Sequence, residues 1–246
     1  VKDLLAAYRT EDIDASRATL LELMARTEIT EEVREAARAA MLDKAPMVRA
    51  AAARVLGAEA LPVLAKDPCK LVRRAATWPL VERLAQNPAY APVVQELKET
   101  ALFQSDQPTG AMQLAVLAGA KHDNAEAEKQ YRRAIQVDPS SHVARMDFAV
   151  FLARQGRSVD ALGQMLAAAK TAPQDAQVQY RLALALAEVA QYEAALRALD
   201  KSLGIDPASL PAREAKVQLL RFLNRPQEAA QEEQKLKALR QIPDHE

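Results

Sequence analysis

The chain has 246 residues, and its 33 basic and 33 acidic side chains cancel to a formal net charge of zero, which disfavours a general nucleic-acid binder because counterion release needs a cationic surface. Only six glycines are present, against a usual content of about 7 %, which speaks against hairpin-rich folds and glycine-lined phosphate loops. Half of the residues are hydrophobic but only 4 % are aromatic, and the apolar mass is Ala and Leu, so an all-α protein is expected.

Small and apolar residues recur with a helical period over 2–9, 15–26, 30–42, 46–56, 59–65, 69–85 and 89–103. Pro79 lies inside the sixth of these and should kink it or end it near Trp78, which reads as a core residue. Val-Arg followed by small residues occurs in EVREAARAA from Glu32, MVRAAAARVL from Met47 and LVRRAATWPL from Leu71. An acid stands six residues before each of those arginines: Glu28 before Arg34, Asp43 before Arg49 and Asp67 before Arg73. The pattern resembles that of HEAT repeats. That resemblance implies that the acid at a turn pairs with the arginine of the following helix, Asp67 with Arg73 for example, in a ladder of charge-assisted hydrogen bonds. The Val-Arg spacings of 15 and 24 residues are short of the roughly 40 of a full unit, so residues 1–105 read as abbreviated HEAT-like units.

The stretch QSDQPTG, residues 104–110, marks a boundary. Beyond it the helical segments are 108–121, 124–137, 142–155, 158–171, 176–189, 192–204, 210–223 and 226–241, and Pro139, Pro173 and Pro207 are 34 residues apart. In units starting at Pro108, His142 and Ala176, position 8 is Ala115, Ala149 and Ala183, and position 20 is Ala127, Ala161 and Ala195. Position 7 is Leu114, Phe148 and Leu182, position 24 is Tyr131, Met165 and Leu199, and position 27 is Ala134, Ala168 and Ser202. This resembles the tetratricopeptide repeat, in which small residues let paired helices approach and larger ones fill between repeats. The usual aromatic of position 4 is replaced by Ala111, Arg145 and Gln179. Repeats are read at 108–141, 142–175 and 176–209. Residues 210–241, with Ala229 at position 20 but Glu233 at position 24, read as a degenerate capping repeat with a wet outer face. The expected fold is a right-handed α-solenoid, HEAT-like helices followed by tetratricopeptide helix pairs over 108–241.

No nucleotide, metal or nucleophile motif is present, and His122, His142 and His245 do not form a ligand set with Cys69, so no enzyme activity, cofactor or metal is expected. No apolar stretch is long enough to cross a membrane. The informative surface is the groove face of the repeats, where the first helix of each pair presents an i, i+3, i+7 stripe. Met112, Val116, Met146, Val150, Tyr180 and Leu184 make an apolar floor there, with Arg154, Arg181 and Glu188 at its margin. The lysine- and asparagine-lined clamp with which some family members hold a peptide carboxylate is matched only by Arg181. The expected partner is therefore a protein segment with apolar character, unless the same chain covers the floor.

The order of the two halves, from DPCKLVRRAA through LKETAL into the repeats, is similar to the C-terminal region of bacterial multihaem c-type cytochrome family proteins. That resemblance implies a periplasmic setting and, as an alternative function, an accessory domain for docking an electron-transfer partner or for dimerisation. The start at Val1, without an initiator Met or a signal-like stretch, is what a fragment or processed product would show.

Overall fold

A computed structural model describes residues 1–27 and 29–241, and every regular element among them is helical. The chain is an all-α solenoid type, with HEAT-like helices followed by tetratricopeptide-like pairs. It divides into two compact units, Val1–Asp106 with Gln113–Lys129, and Gln107–Met112 with Gln130–Glu246, so the division runs through the helix pair that follows the predicted boundary.

The first unit opens with α1 (Lys2–Thr10), α2 (Asp14–Met24), α3 (Glu31–Ala40) and α4 (Pro46–Leu56). Their buried faces meet in one core that includes Leu21, Met24, Val33, Val48 and Val72. The predicted helix 59–65 is instead a 3-10 turn at Gly57–Ala60 followed by α5 (Leu61–Leu64). Gly57, at φ +56°, ends α4, and Pro62 supplies no N–H for a longer helix. The predicted helix 69–85 likewise breaks at Pro79 into α6 (Lys70–Thr77), a 3-10 turn at Trp78–Leu80 and α7 (Val81–Leu84). Trp78 is partly buried against a second core of this unit, which includes Val94 and Leu97 of α8 (Ala91–Phe103).

The HEAT-like ladder exists, but each rung runs one step further than the sequence pattern suggests. The Asp43 carboxylate accepts from Arg17, at 2.5 and 3.3 Å, and not from Arg49. The Asp67 carboxylate accepts from Arg49 Nε and Nη2 at 2.7 and 3.0 Å, and not from Arg73. Arg73 forks onto Glu96 at 2.7 and 2.9 Å. What each arginine takes from the acid six residues before it is the backbone carbonyl: Arg49 Nη1 donates to Asp43 O at 2.7 Å and Arg73 Nη1 to Asp67 O at 2.6 Å. The reason is local geometry. The aspartate carboxylate turns forward to close an Asx turn just ahead of the helix, accepting from the N–H two residues on, Ala45 for Asp43 and Cys69 for Asp67. Its remaining lone pairs face the preceding repeat, so the ladder ties successive helix pairs together. Glu28, the acid expected to pair with Arg34, lies outside the described residues.

The helix pairs that follow are α9 (Pro108–Ala120) with α10 (Asn124–Val137), α11 (His142–Arg154) with α12 (Ser158–Thr171), α13 (Ala176–Glu188) with α14 (Tyr192–Ile205), and α15 (Leu210–Phe222) with α16 (Pro226–Gln241). The repeat register read from the sequence is the register of burial. Positions 7, 8, 20, 24 and 27 are buried in each of the first three repeats, and the Ser202 hydroxyl at position 27 donates to Ala176 O at 2.8 Å. Tyr131 of the first repeat packs on Phe148 and Phe151 of the second, with ring centroids 5.5 and 5.4 Å away, stacked on the former and tilted to the latter. In the capping repeat Ala229 is buried and Glu233 is only partly so.

Position 15 shows how strictly the 34-residue period is kept. His122, Gly156, Ala190 and Asn224 all adopt a left-handed backbone, with φ of 61°, 74°, 60° and 55°. After each, the next N–H reaches back five residues: Asp123 to Ala118, Arg157 to Leu152, Gln191 to Leu186 and Arg225 to Leu220, at 2.9 to 3.0 Å. This is the Schellman end of the first helix, which favours glycine because a Cβ costs about 1 kcal/mol or more there. Only Gly156 is glycine. Ala190→Gly at this exposed turn is therefore expected to raise stability by about 1 kcal/mol, read as a higher denaturation midpoint at unchanged slope.

The departures at position 4 also have a physical account. Arg145, Gln179 and Arg213 donate to the carbonyls of Pro139, Pro173 and Pro207 at 3.1, 3.1 and 2.7 Å. Each proline closes the preceding repeat, so a side-chain hydrogen bond pins the turn at the position where an aromatic ring is expected.

Candidate binding groove

The groove face of the second unit is built from α11 and α13. Ser141 caps α11 by accepting from Ala144 N at 3.2 Å, and Asp175 caps α13 by accepting from Gln177 and Val178 N–H groups at 2.8 and 3.1 Å. With those starts, Phe148, Ala149 and Leu152 on α11 and Leu182, Ala183 and Leu186 on α13 turn into the core. Val150 and Leu184 are left on the other side, partly or largely exposed.

Between these helices lies an open cleft of about 150 Å³. Ala149, Val150 and Ala153 line it from α11, and Arg181, Leu184, Ala185 and Glu188 from α13. Its base is Ser158, Ala161 and Met165 of α12. Of the predicted groove residues, Val150, Arg181 and Leu184 thus come together. Met146 and Tyr180 are partly buried one turn earlier and do not line the cleft, and Arg154 is exposed. Met112 packs on the small cluster of Ala111, Ala134 and Ala144, while Val116 packs on the second core of the first unit. Both are therefore engaged as packing residues within their own units.

Asp147 was not predicted. Burial pushes its carboxyl above the usual carboxylate range, and Arg181 opposes that shift. It stands at position 6, beside the i, i+3, i+7 stripe, and Arg181 occupies the same position one repeat later. A stripe one residue wider would have included it. The remaining titratable groups singled out by sequence are at turns: His122 is exposed, His142 Nε2 lies 3.7 Å from Asp175 Oδ2, and His245 falls outside the described residues. Among the described residues no cluster of His, Cys, Asp or Glu could hold a metal ion, and no helix is long and apolar enough to cross a membrane.

No protein-family model matches the chain, and no curated protein matches it either. Solved structures do. MamA 41-end from Desulfovibrio magneticus RS-1 superimposes with a TM-score of 0.55 at 20 % identity, over 68 % of this chain and 95 % of that one. A crystal structure of MamA gives a TM-score of 0.54 at 13 % identity, over 65 % and 94 % of the two chains. The likeness is one of fold. It agrees with the helical-repeat architecture built above, and it gives no support to the resemblance to the region that follows multihaem cytochrome domains.

Proposed function

We propose that the chain is a non-catalytic protein-interaction module whose groove face in the second unit takes an apolar segment of another protein. The observation that carries this reading is the open cleft walled by Val150 and Leu184, whose side chains lie outside the set that packs the repeats. Three of the carboxylates held below their ordinary range, Asp43, Asp67 and Glu232, sit in ion pairs that join helices, which is structural work and not acid-base chemistry. The expected occupant meets a surface that is apolar in the middle and charged at its margin.

Val150→Glu and Leu184→Glu test the reading. Because both positions lie outside the packed core, melting temperatures should stay within a few degrees of wild type. Capture of a partner from a lysate of the source cells should fall more than tenfold in each, since loss of a central anchor costs about 2 kcal/mol. Undiminished capture by both variants would refute the groove as the binding face.

A further inference from the structure

One charge along the cleft runs against helix stability. On α13, Glu188 is the last residue, where the helix dipole favours a cation, and Arg181 stands two turns before it. On α11 the order is the favourable one, with Asp147 ahead of Arg154 in the last turn. Arg181 and Glu188 both line the cleft, two helical turns apart or about 10 Å along the axis, with Leu184 between them. Among the described residues neither side chain makes a hydrogen bond or an ion pair, and Arg181 meets Asp147 only through its field. A cation and an anion are thus left open at the two ends of an apolar cleft of about 150 Å³, a volume of the size that takes up a benzene ring.

We propose that the cleft takes a protein segment that sets one leucine- or phenylalanine-sized side chain against Val150 and Leu184, with a carboxylate of the same segment on Arg181 and a lysine or arginine on Glu188. This rests on the reading of the groove face as the binding face and adds to it the chemistry and polarity of the partner. Asp147 influences Arg181 without a hydrogen bond to it. The planar guanidinium, with five donors, therefore keeps its fork for an incoming carboxylate. Both charges are exposed in the free chain, so each pairing gains only as the bound segment itself covers it, where a pair left fully exposed would contribute little.

A random-peptide phage library selected on the full chain tests this. Enriched peptides should carry an acid, a large apolar residue and a base in one fixed order. Selection on the Arg181→Glu/Glu188→Arg double variant should enrich the opposite order, and a peptide from the first selection should bind that variant at least tenfold more weakly. Its charge-reversed counterpart should regain the lost affinity. Arg181→Glu replaces the cation facing Asp147 by a second carboxylate, so the double variant's melting temperature is measured alongside and selection is run well below it. Arg181→Gln, which only removes a charge, should by itself weaken acid-bearing peptides about tenfold, or roughly 1.4 kcal/mol. Peptides that lose binding to Val150→Glu yet show no charge order, or whose order does not reverse, would overturn this inference and leave the groove-face reading standing. Peptides indifferent to Val150→Glu, or no enrichment at all, would overturn both.

Discussion

Arg49→Met is expected to destabilise the first unit by about 3 kcal/mol, because it removes one partner of a buried pair and leaves the other charge uncompensated. The Arg49 and Asp67 side chains are only 13 % and 6 % exposed, and their two hydrogen bonds are joined by two more from Arg49 to the carbonyls of Asp43 and Lys44. Arg49→Lys should rescue little, since an ammonium cannot span a carboxylate and two carbonyls at once. Arg73→Met is the internal comparison. Its pair with Glu96 is more exposed, at 24 % and 22 %, so the loss should be smaller. The effect also has a pH signature. Arg49 holds the Asp67 carboxyl below its ordinary value of 3.8 in the folded state. The resulting stabilisation is fully present above that value and is lost as pH falls through the lower folded value. The gap in denaturation midpoint between wild type and Arg49→Met should therefore be widest at neutral pH and close progressively below about pH 4. Equal midpoints at pH 7 would refute the inter-repeat ladder.

The ladder also shows what the sequence could and could not say. An acid six residues ahead of each arginine is visible in the letters, and the structure does bring the turns at Asp43 and Asp67 to Arg49 and Arg73. The contact is made by the backbone carbonyl, which every residue possesses, so nothing in the letters distinguishes it from a side-chain contact. The carboxylate's true partner, Arg17 for Asp43 and Arg49 for Asp67, is 26 and 18 residues earlier in the chain. Those spacings are unequal because the HEAT-like units are, and no period points to them. In the second unit the period is constant, and the outcome differs. The 34-residue spacing placed Ala149, Ala183, Ala161 and Ala195 at buried helix contacts without any long-range inference.

The candidate groove was half legible for a related reason. Periodicity states which residues leave the core, and Val150, Leu184 and Arg181 of the expected stripe line one cleft. It does not state how far neighbouring elements cover that face. Met112 and Val116 satisfy the same pattern, yet in the short-side-chained first pair they sink against Ala111 and Leu114-type neighbours and serve packing. Charge was read as a margin because it lay beside the apolar stripe. The structure gives it a direction along α13, which only the cleft lining reveals.

A single geometry links the two units at the level of local structure. An arginine or glutamine near the start of a helix folds back six residues to a turn carbonyl, at Arg49, Arg73, Arg145, Gln179 and Arg213. The side chain lies along the first turn, where the N-terminal tilt of the Cα–Cβ bond already points it. It satisfies a carbonyl that the turn leaves without a helical partner. HEAT-like and tetratricopeptide-like units thus close their turns with the same hydrogen bond, despite different sequence periods.

Glu232→Gln is expected to release α16 from the end of the array. The Glu232 carboxylate is almost fully buried and accepts from Arg213 at 2.6 Å, Lys216 at 3.1 Å and Lys235 at 2.9 Å. Lys216 in turn reaches Asp200 of α14 at 2.7 Å, so one carboxylate on the last helix ties together three. The amide keeps the volume and loses the charge, leaving the buried Arg213 guanidinium with a neutral partner and Lys216 with one carboxylate instead of two. A cost of about 3 kcal/mol is expected. Few other apolar contacts hold this helix, Ala229 and Leu236 being its buried hydrophobic residues. The loss should therefore appear as local opening, with hydrogen-exchange protection falling in α16 well before it falls in α11 to α13. Burial pushes the Glu232 carboxyl up, but Lys235 and Lys216 outweigh it and hold the group below its ordinary value of 4.5. The tie therefore contributes fully above that value and fails as pH drops through the lower folded one, so wild type and Glu232→Gln should converge in α16 protection under acid conditions. Protection of α16 that is unchanged by Glu232→Gln at neutral pH would mean that packing of Ala229 and Leu236 alone secures the cap.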